Sequence, residues 1–119
     1  MKNRIIQRSF AITLAGGLLA TMLCATAWAD SVGDGKKIAF DRKKGNCLAC
    51  HMMGDGESPG DIGPPLVAMK ARFPDRAKLR SQIWDATVAN PESIMLPFGR
   101  HHILTEKEID QVVDYLYTL

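Results

Sequence analysis

The sequence predicts a small all-α domain of short helices, on three observations. The closing segment pairs a helix-start signal with a single apolar stripe. Two earlier segments carry partial helical faces bounded by Gly, Asn and Pro. No run alternates with period two, so no significant sheet is expected. The chain has no internal repeats and no low-complexity segments.

The 119-residue chain opens with Lys2, Arg4 and Arg8. An uncharged apolar stretch follows, roughly Phe10 to Ala27, and ends in Ala27-Trp28-Ala29 before Asp30. A basic start, an apolar centre and an A-x-A site together predict a secretory signal peptide over residues 1–29. The competing reading is an uncleaved anchor, because the stretch approaches the length of a short spanning helix. Gly16 and Gly17 interrupt it, and the A-x-A site closes it, which favours cleavage. Cys24 follows Thr21-Met22-Leu23, which lacks the small residue a lipid-attachment site needs.

Cleavage after Ala29 leaves one domain, 30–119, of 90 residues. Losing Lys2, Arg4 and Arg8 leaves 12 Lys and Arg against 13 Asp and Glu, so the formal charge changes from +2 to −1. The basic balance of the whole chain therefore gives no case for nucleic-acid binding. Periplasmic localisation is expected, with no membrane association once the signal is removed. A core of this size often needs a covalent or metal staple.

Along the domain, Asp30 to Lys44 reads as a helix with Val32, Ile38, Ala39 and Phe40 on one face. Gly45-Asn46 ends it in a turn. Gly54 to Pro65 is a loop rich in Gly and Pro. Leu66 to Arg72 reads as a short helix broken by Phe73-Pro74. Asp75 to Val88 reads as a helix with Leu79, Ile83 and Ala86 inward, joined by Trp84, and Asn90-Pro91 stops it. Glu92 to His102 is irregular, broken by Pro97 and Gly99. In the last helix Thr105 is an N-cap with Glu108 three residues on. Its stripe is Ile109, Val112, Val113 and Leu116.

The chemistry lies in Cys47-Leu48-Ala49-Cys50-His51, a C-x-x-C-H sequence. Two thiols at this spacing reach the two vinyl groups on one edge of a porphyrin, and the adjacent imidazole falls beneath the iron. The motif predicts one covalent haem c, with His51 as the proximal ligand. A thioredoxin-like pair needs a βαβ context that is absent. A zinc site needs more ligands than His51, His101 and His102 supply. A structural disulfide leaves His51 unexplained.

The sixth iron ligand must reach the opposite face of the ring. Met52 and Met53 follow His51 too closely. Met69 lies on a helical face with Leu66 and Phe73 and reads as a core methionine. Met95 lies in an irregular, Pro-containing loop and is the favoured candidate, with His101 and His102 as competitors. His51 also needs an acceptor for its second ring nitrogen. A carbonyl of Pro64 or Pro65, in Gly63-Pro64-Pro65, is the expected source.

Several segments together carry a family resemblance. They are Gly45-Asn46-Cys47-Leu48-Ala49-Cys50-His51, Ile62-Gly63-Pro64-Pro65-Leu66, Asn90-Pro91, and Met95-Leu96-Pro97-Phe98-Gly99. Ile103-Leu104-Thr105 and the closing Tyr115-Leu116-Tyr117-Thr118-Leu119 complete the set. The order closely resembles the SoxX family, the small monohaem subunits of SoxAX cytochrome complexes of sulfur oxidation, across essentially the whole mature chain. Leu96 departs from it, since family members often have Pro there.

The resemblance implies a class I cytochrome c fold whose first and last helices pack across each other. It implies His51 and Met95 as axial ligands. It also implies a heterodimer with a SoxA-type subunit that holds the catalytic haem. In that family the complex couples thiosulfate oxidatively to a cysteine of the SoxYZ carrier, an L-cysteine S-thiosulfotransferase reaction. The SoxX haem accepts the electrons and passes them to a soluble cytochrome c. On this reading the chain is not catalytic alone. The alternative is a free-standing monohaem electron shuttle. A haem enzyme or gas sensor would need an open iron position, against which a Met95 ligand argues.

Overall fold

The structure is a computed structural model that describes residues 30–119, so the predicted signal peptide lies outside the described residues. Within it, Ser31–Leu119 forms one compact unit. Helix α1 covers 30–40 and is followed by a 3-10 turn at Cys47–Ala49. Helix α2 is Met69–Arg72 and α3 is Arg76–Trp84. A second 3-10 turn, Ala86–Val88, precedes α4, Glu106–Leu116. Among the described residues the β-structure is one isolated bridge, Met53 to Leu66. The all-α class expected from the sequence is the class observed.

Two helices end earlier than the turn signals in the sequence suggest, and an aspartate is the reason in both cases. α1 stops at Phe40, not Lys44. The Asp41 carboxylate accepts from the Lys43 amide at 2.8 Å, and its carbonyl accepts from Lys44 and Asn46. That local bonding replaces the next helical turn. α3 stops at Trp84, not Val88. Asp85 adopts extended backbone, and its side chain accepts from the Thr87 amide, opening a separate 3-10 turn. α2 is also shorter than expected, because Ala68 takes a left-handed conformation (φ 50°) just before it.

The frame is the pair α1 and α4. A Cβ on Gly35 would lie 1.9 Å from the carbonyl oxygen of Gln111, so the two backbones touch at that point. Phe40 of α1 meets Tyr115 of α4 edge-on, with centroids 6.2 Å apart. Ser31 donates to Asp114 at 2.6 Å. Helix α3 packs on α4 and adds the Arg76–Asp114 and Arg80–Asp110 ion pairs at 2.6 and 2.8 Å.

The start of α4 forms the full capping box. Thr105 accepts from the Glu108 amide, and the Glu108 carboxylate accepts from the Thr105 amide. Ile109, Val112, Val113 and Leu116 are all buried. So are Leu79 and Ile83 from α3, and Met69, a core methionine as its sequence context indicated. The C-terminus closes the core. The Leu119 carbonyl accepts from the Met69 amide, and the Tyr117 hydroxyl donates to the Phe73 carbonyl.

Candidate functional site

The cysteine motif is held by backbone geometry on both sides. Asn46 enters it in a left-handed conformation (φ 46°). Cys47–Ala49 then forms one 3-10 turn, and the His51 amide donates back to the Cys47 carbonyl at 2.9 Å. Cys47 and Cys50 are not joined in a disulfide. Burial pushes the Cys47 thiol, before any thioether is formed, up to about 11.

The loop 54–65 folds against this turn. Gly60 donates to the Leu48 carbonyl and Gly63 to the Cys50 carbonyl, at 2.9 and 2.7 Å. The approach is close enough to require glycine at both positions. A Cβ on Gly60 would lie 1.9 Å from the Ala49 carbonyl oxygen, and one on Gly63 within 2.3 to 2.8 Å of His51 ring atoms. The Met53–Leu66 bridge, with Leu66 donating to the Met52 carbonyl at 2.8 Å, closes the loop behind the histidine.

His51 Nδ1 lies 2.7 Å from the Pro64 carbonyl oxygen. A carbonyl can only accept, so Nδ1 carries the proton and Nε2 presents its lone pair. This selects Pro64 over Pro65 as the partner of His51. The Pro65 carbonyl is used differently, accepting from the Arg72 guanidinium at 2.7 Å. Arg72 of α2 thus braces the segment that orients the histidine. Sequence reading missed it, and nothing in the spacing marks one arginine out for that task.

Met95 belongs to another segment. It is half-buried against the core, in the irregular stretch between the second 3-10 turn and α4. Its amide donates to the Ser93 hydroxyl at 3.3 Å. Met53 and Met69 are buried in the core, whereas His101 and His102 are exposed.

Do these residues fit a haem? Two unbridged cysteines sit on one turn, next to an imidazole with Nδ1 engaged and Nε2 open. Among the described residues the exposed large apolar side chains fall in two stretches. Met52, Ile62 and Val67 lie in the segment after His51, and Val88, Ile94, Leu96 and Ile103 flank Met95. An apolar macrocycle held between these segments would cover such side chains. The donor set and its surroundings fit haem c.

Comparison with known proteins agrees. The family model for cytochrome c matches residues 32–119. The crystal structure of SoxXA from P. pantotrophus is similar at 29% identity, covering 72% of this chain and 79% of that one, with a TM-score of 0.65. An uncharacterized lipoprotein of Aquifex aeolicus (strain VF5) is 39% identical over 77 residues, 63% of this chain and 37% of the relative. The chain therefore spans little more than a third of the length of that curated relative. With the C-x-x-C-H turn and the helical frame around it, these matches show that the chain belongs to the cytochrome c family, with the class I fold and one covalent haem c, and that it is similar to SoxX-type cytochromes.

Proposed function

We propose that the chain is an exported, periplasmic monohaem cytochrome c that serves as the electron-accepting subunit of a SoxAX-type complex. The observation that carries this reading is the likeness to SoxXA, which spans most of both chains and includes sequence identity as well as fold. The N-terminal sequence supports export.

In this reading Cys47 and Cys50 would hold the haem as thioethers, and His51 Nε2 and Met95 Sδ would be the residues offered to its iron. When bound, the haem supplies a one-electron ferric/ferrous couple. The chain's own residues tune it. The Pro64 carbonyl fixes the His51 tautomer and raises the basicity of its imidazole. The neutral Met95 thioether raises the potential relative to a second histidine. With Met95 offered to the iron, the group would serve electron relay rather than substrate chemistry.

A SoxAX-type complex would join thiosulfate to a carrier cysteine. A carrier cysteine thiol and thiosulfate form one S–S bond, releasing one proton and two electrons. The haem this chain would hold would take both electrons, one at a time, for a soluble cytochrome c. The bond-forming chemistry belongs to the SoxA-type subunit, so the isolated chain should not couple thiosulfate.

Co-expression with a SoxA-type protein tests the assignment. The expected result is co-elution of the two chains as a stable heterodimer in size-exclusion chromatography. A chain that elutes alone at every ratio, with its haem intact, would point to a free-standing shuttle.

A further inference from the structure

We propose that Asp85 and Arg100 form a clasp that holds the Met95 loop closed, making Asp85 a positioning residue for the axial sulfur. The proposal rests on the reading of Met95 as the sixth ligand.

The loop leaves the body of the protein at Trp84-Asp85 and returns at Gly99-Arg100. Several contacts fasten these two points. The Gly99 and Arg100 amides both donate to the Trp84 carbonyl, at 3.1 and 3.3 Å. The Trp84 ring covers Gly99 so closely that a Cβ there would lie 2.1 Å from an indole carbon. Arg100 Nη1 donates to Asp85 Oδ2 at 2.8 Å. The other carboxylate oxygen accepts from the amide and hydroxyl of Thr87, on the outgoing side of the loop. One buried carboxylate, 4% exposed, therefore joins the outgoing and returning chain.

Between these points the loop is anchored on its returning side by Phe98, which is buried in the core and whose carbonyl accepts from the Ile103 and Leu104 amides, while the stretch before it is held only by short local turns. Asn90 donates to the Ala86 carbonyl, Ser93 to the Asn90 carbonyl and Met95 to the Ser93 hydroxyl, all within the loop. The position of Met95 therefore depends on its partial packing against the core, on the buried Phe98 that follows it and on the fastening at the loop's ends. A ligand that must be presented by a loop binds with an apparent strength scaled by the fraction of time the loop is closed. Removing the clasp lowers that fraction.

The test uses the holoprotein and an exogenous ligand. Imidazole displaces a methionine from ferric haem only when the loop opens, so its apparent affinity reports opening directly. Arg100 is largely exposed, so Arg100→Gln leaves the core intact. It should bind imidazole about tenfold more tightly than wild type, the range expected for a partly exposed charge-assisted bond. Arg100→Lys should recover part of the difference, and Asp85→Asn should act in the same direction as Arg100→Gln. The thermal unfolding midpoint of Arg100→Gln, read by far-ultraviolet circular dichroism, should stay near that of wild type.

Imidazole affinity that stays at the wild-type value in Arg100→Gln overturns the clasp. So does a rise that merely follows a matching loss of global stability. Met95→Ala separates the two readings. Loss of the ferric sulfur-to-iron charge-transfer band in that variant supports the ligand. A band that survives it removes the ligand reading, and the clasp's role with it.

Discussion

The His51 ring is fixed from two directions at once: Nδ1 donates to the Pro64 carbonyl at 2.7 Å, and the ring lies flush against the missing side chain of Gly63. One contact sets the tautomer and the other leaves the ring no room to tilt on that side. Gly63→Ala should therefore strain the proximal side. A Cβ between 2.3 and 2.8 Å from ring atoms forces the imidazole or the proline segment to move, at a cost of about 1–3 kcal/mol. Denaturant unfolding of the holoprotein should show that loss, together with a changed reduction potential. Wild-type values for both would contradict the geometry.

Gly35 makes a stronger demand, because the atom facing it is backbone. A Cβ would lie 1.9 Å from the Gln111 carbonyl oxygen, and α4 cannot yield without losing the core it buries. Gly35→Ala should cost about 3 kcal/mol or more, at the upper end for overpacking. The expected outcome is a sharp fall in holoprotein yield, measured by haem absorbance per unit of expressed chain.

The capping box at the start of α4 gives a stability prediction of ordinary size. Thr105→Ala should cost about 1 kcal/mol in chemical denaturation, as loss of a capping side chain does.

Glu108 links the same box to pH. Hydrogen bonds from the Lys44 ammonium and from Thr105 hold its carboxyl below the usual glutamate range. A carboxyl lowered on folding adds stability that is fully present above its unfolded value, about 4.3. That stability is lost as pH falls through the lower folded value. Unfolding measured between pH 5 and pH 3 should therefore show a steeper acid loss in wild type than in Glu108→Gln. Equal slopes would mean that the carboxylate contributes nothing on folding.

What could be read from the sequence follows the range of the interactions. The haem turn depends on five consecutive residues, the capping box on four, and the α4 stripe on one helical repeat, so each was legible. Met69 was legible as core because Leu66 and Phe73 flank it. The ends of α1 and α3 were not. The turn signals that bound them lie further on, at Gly45-Asn46 and Asn90-Pro91, and the Asp41 and Asp85 side chains end the helices earlier through local bonds that compete with them. The choice of Pro64 over Pro65 depends on how the loop folds back on Cys50. The Arg72 brace and the Asp85–Arg100 contact join residues whose types say nothing about their partners until the chain is folded.

Whether this haem takes the electrons released when thiosulfate is joined to a carrier cysteine can be read from one spectral measurement. The oxidised chain is combined anaerobically with a SoxA-type subunit and SoxYZ, thiosulfate is added, and the ferrous α-band of this chain's haem is followed. The expected result is reduction that requires all the components, with two electrons recovered per carrier cysteine conjugated once a soluble cytochrome c is present. Conjugation of the carrier while this haem stays oxidised and the cytochrome receives its electrons by another route would contradict it.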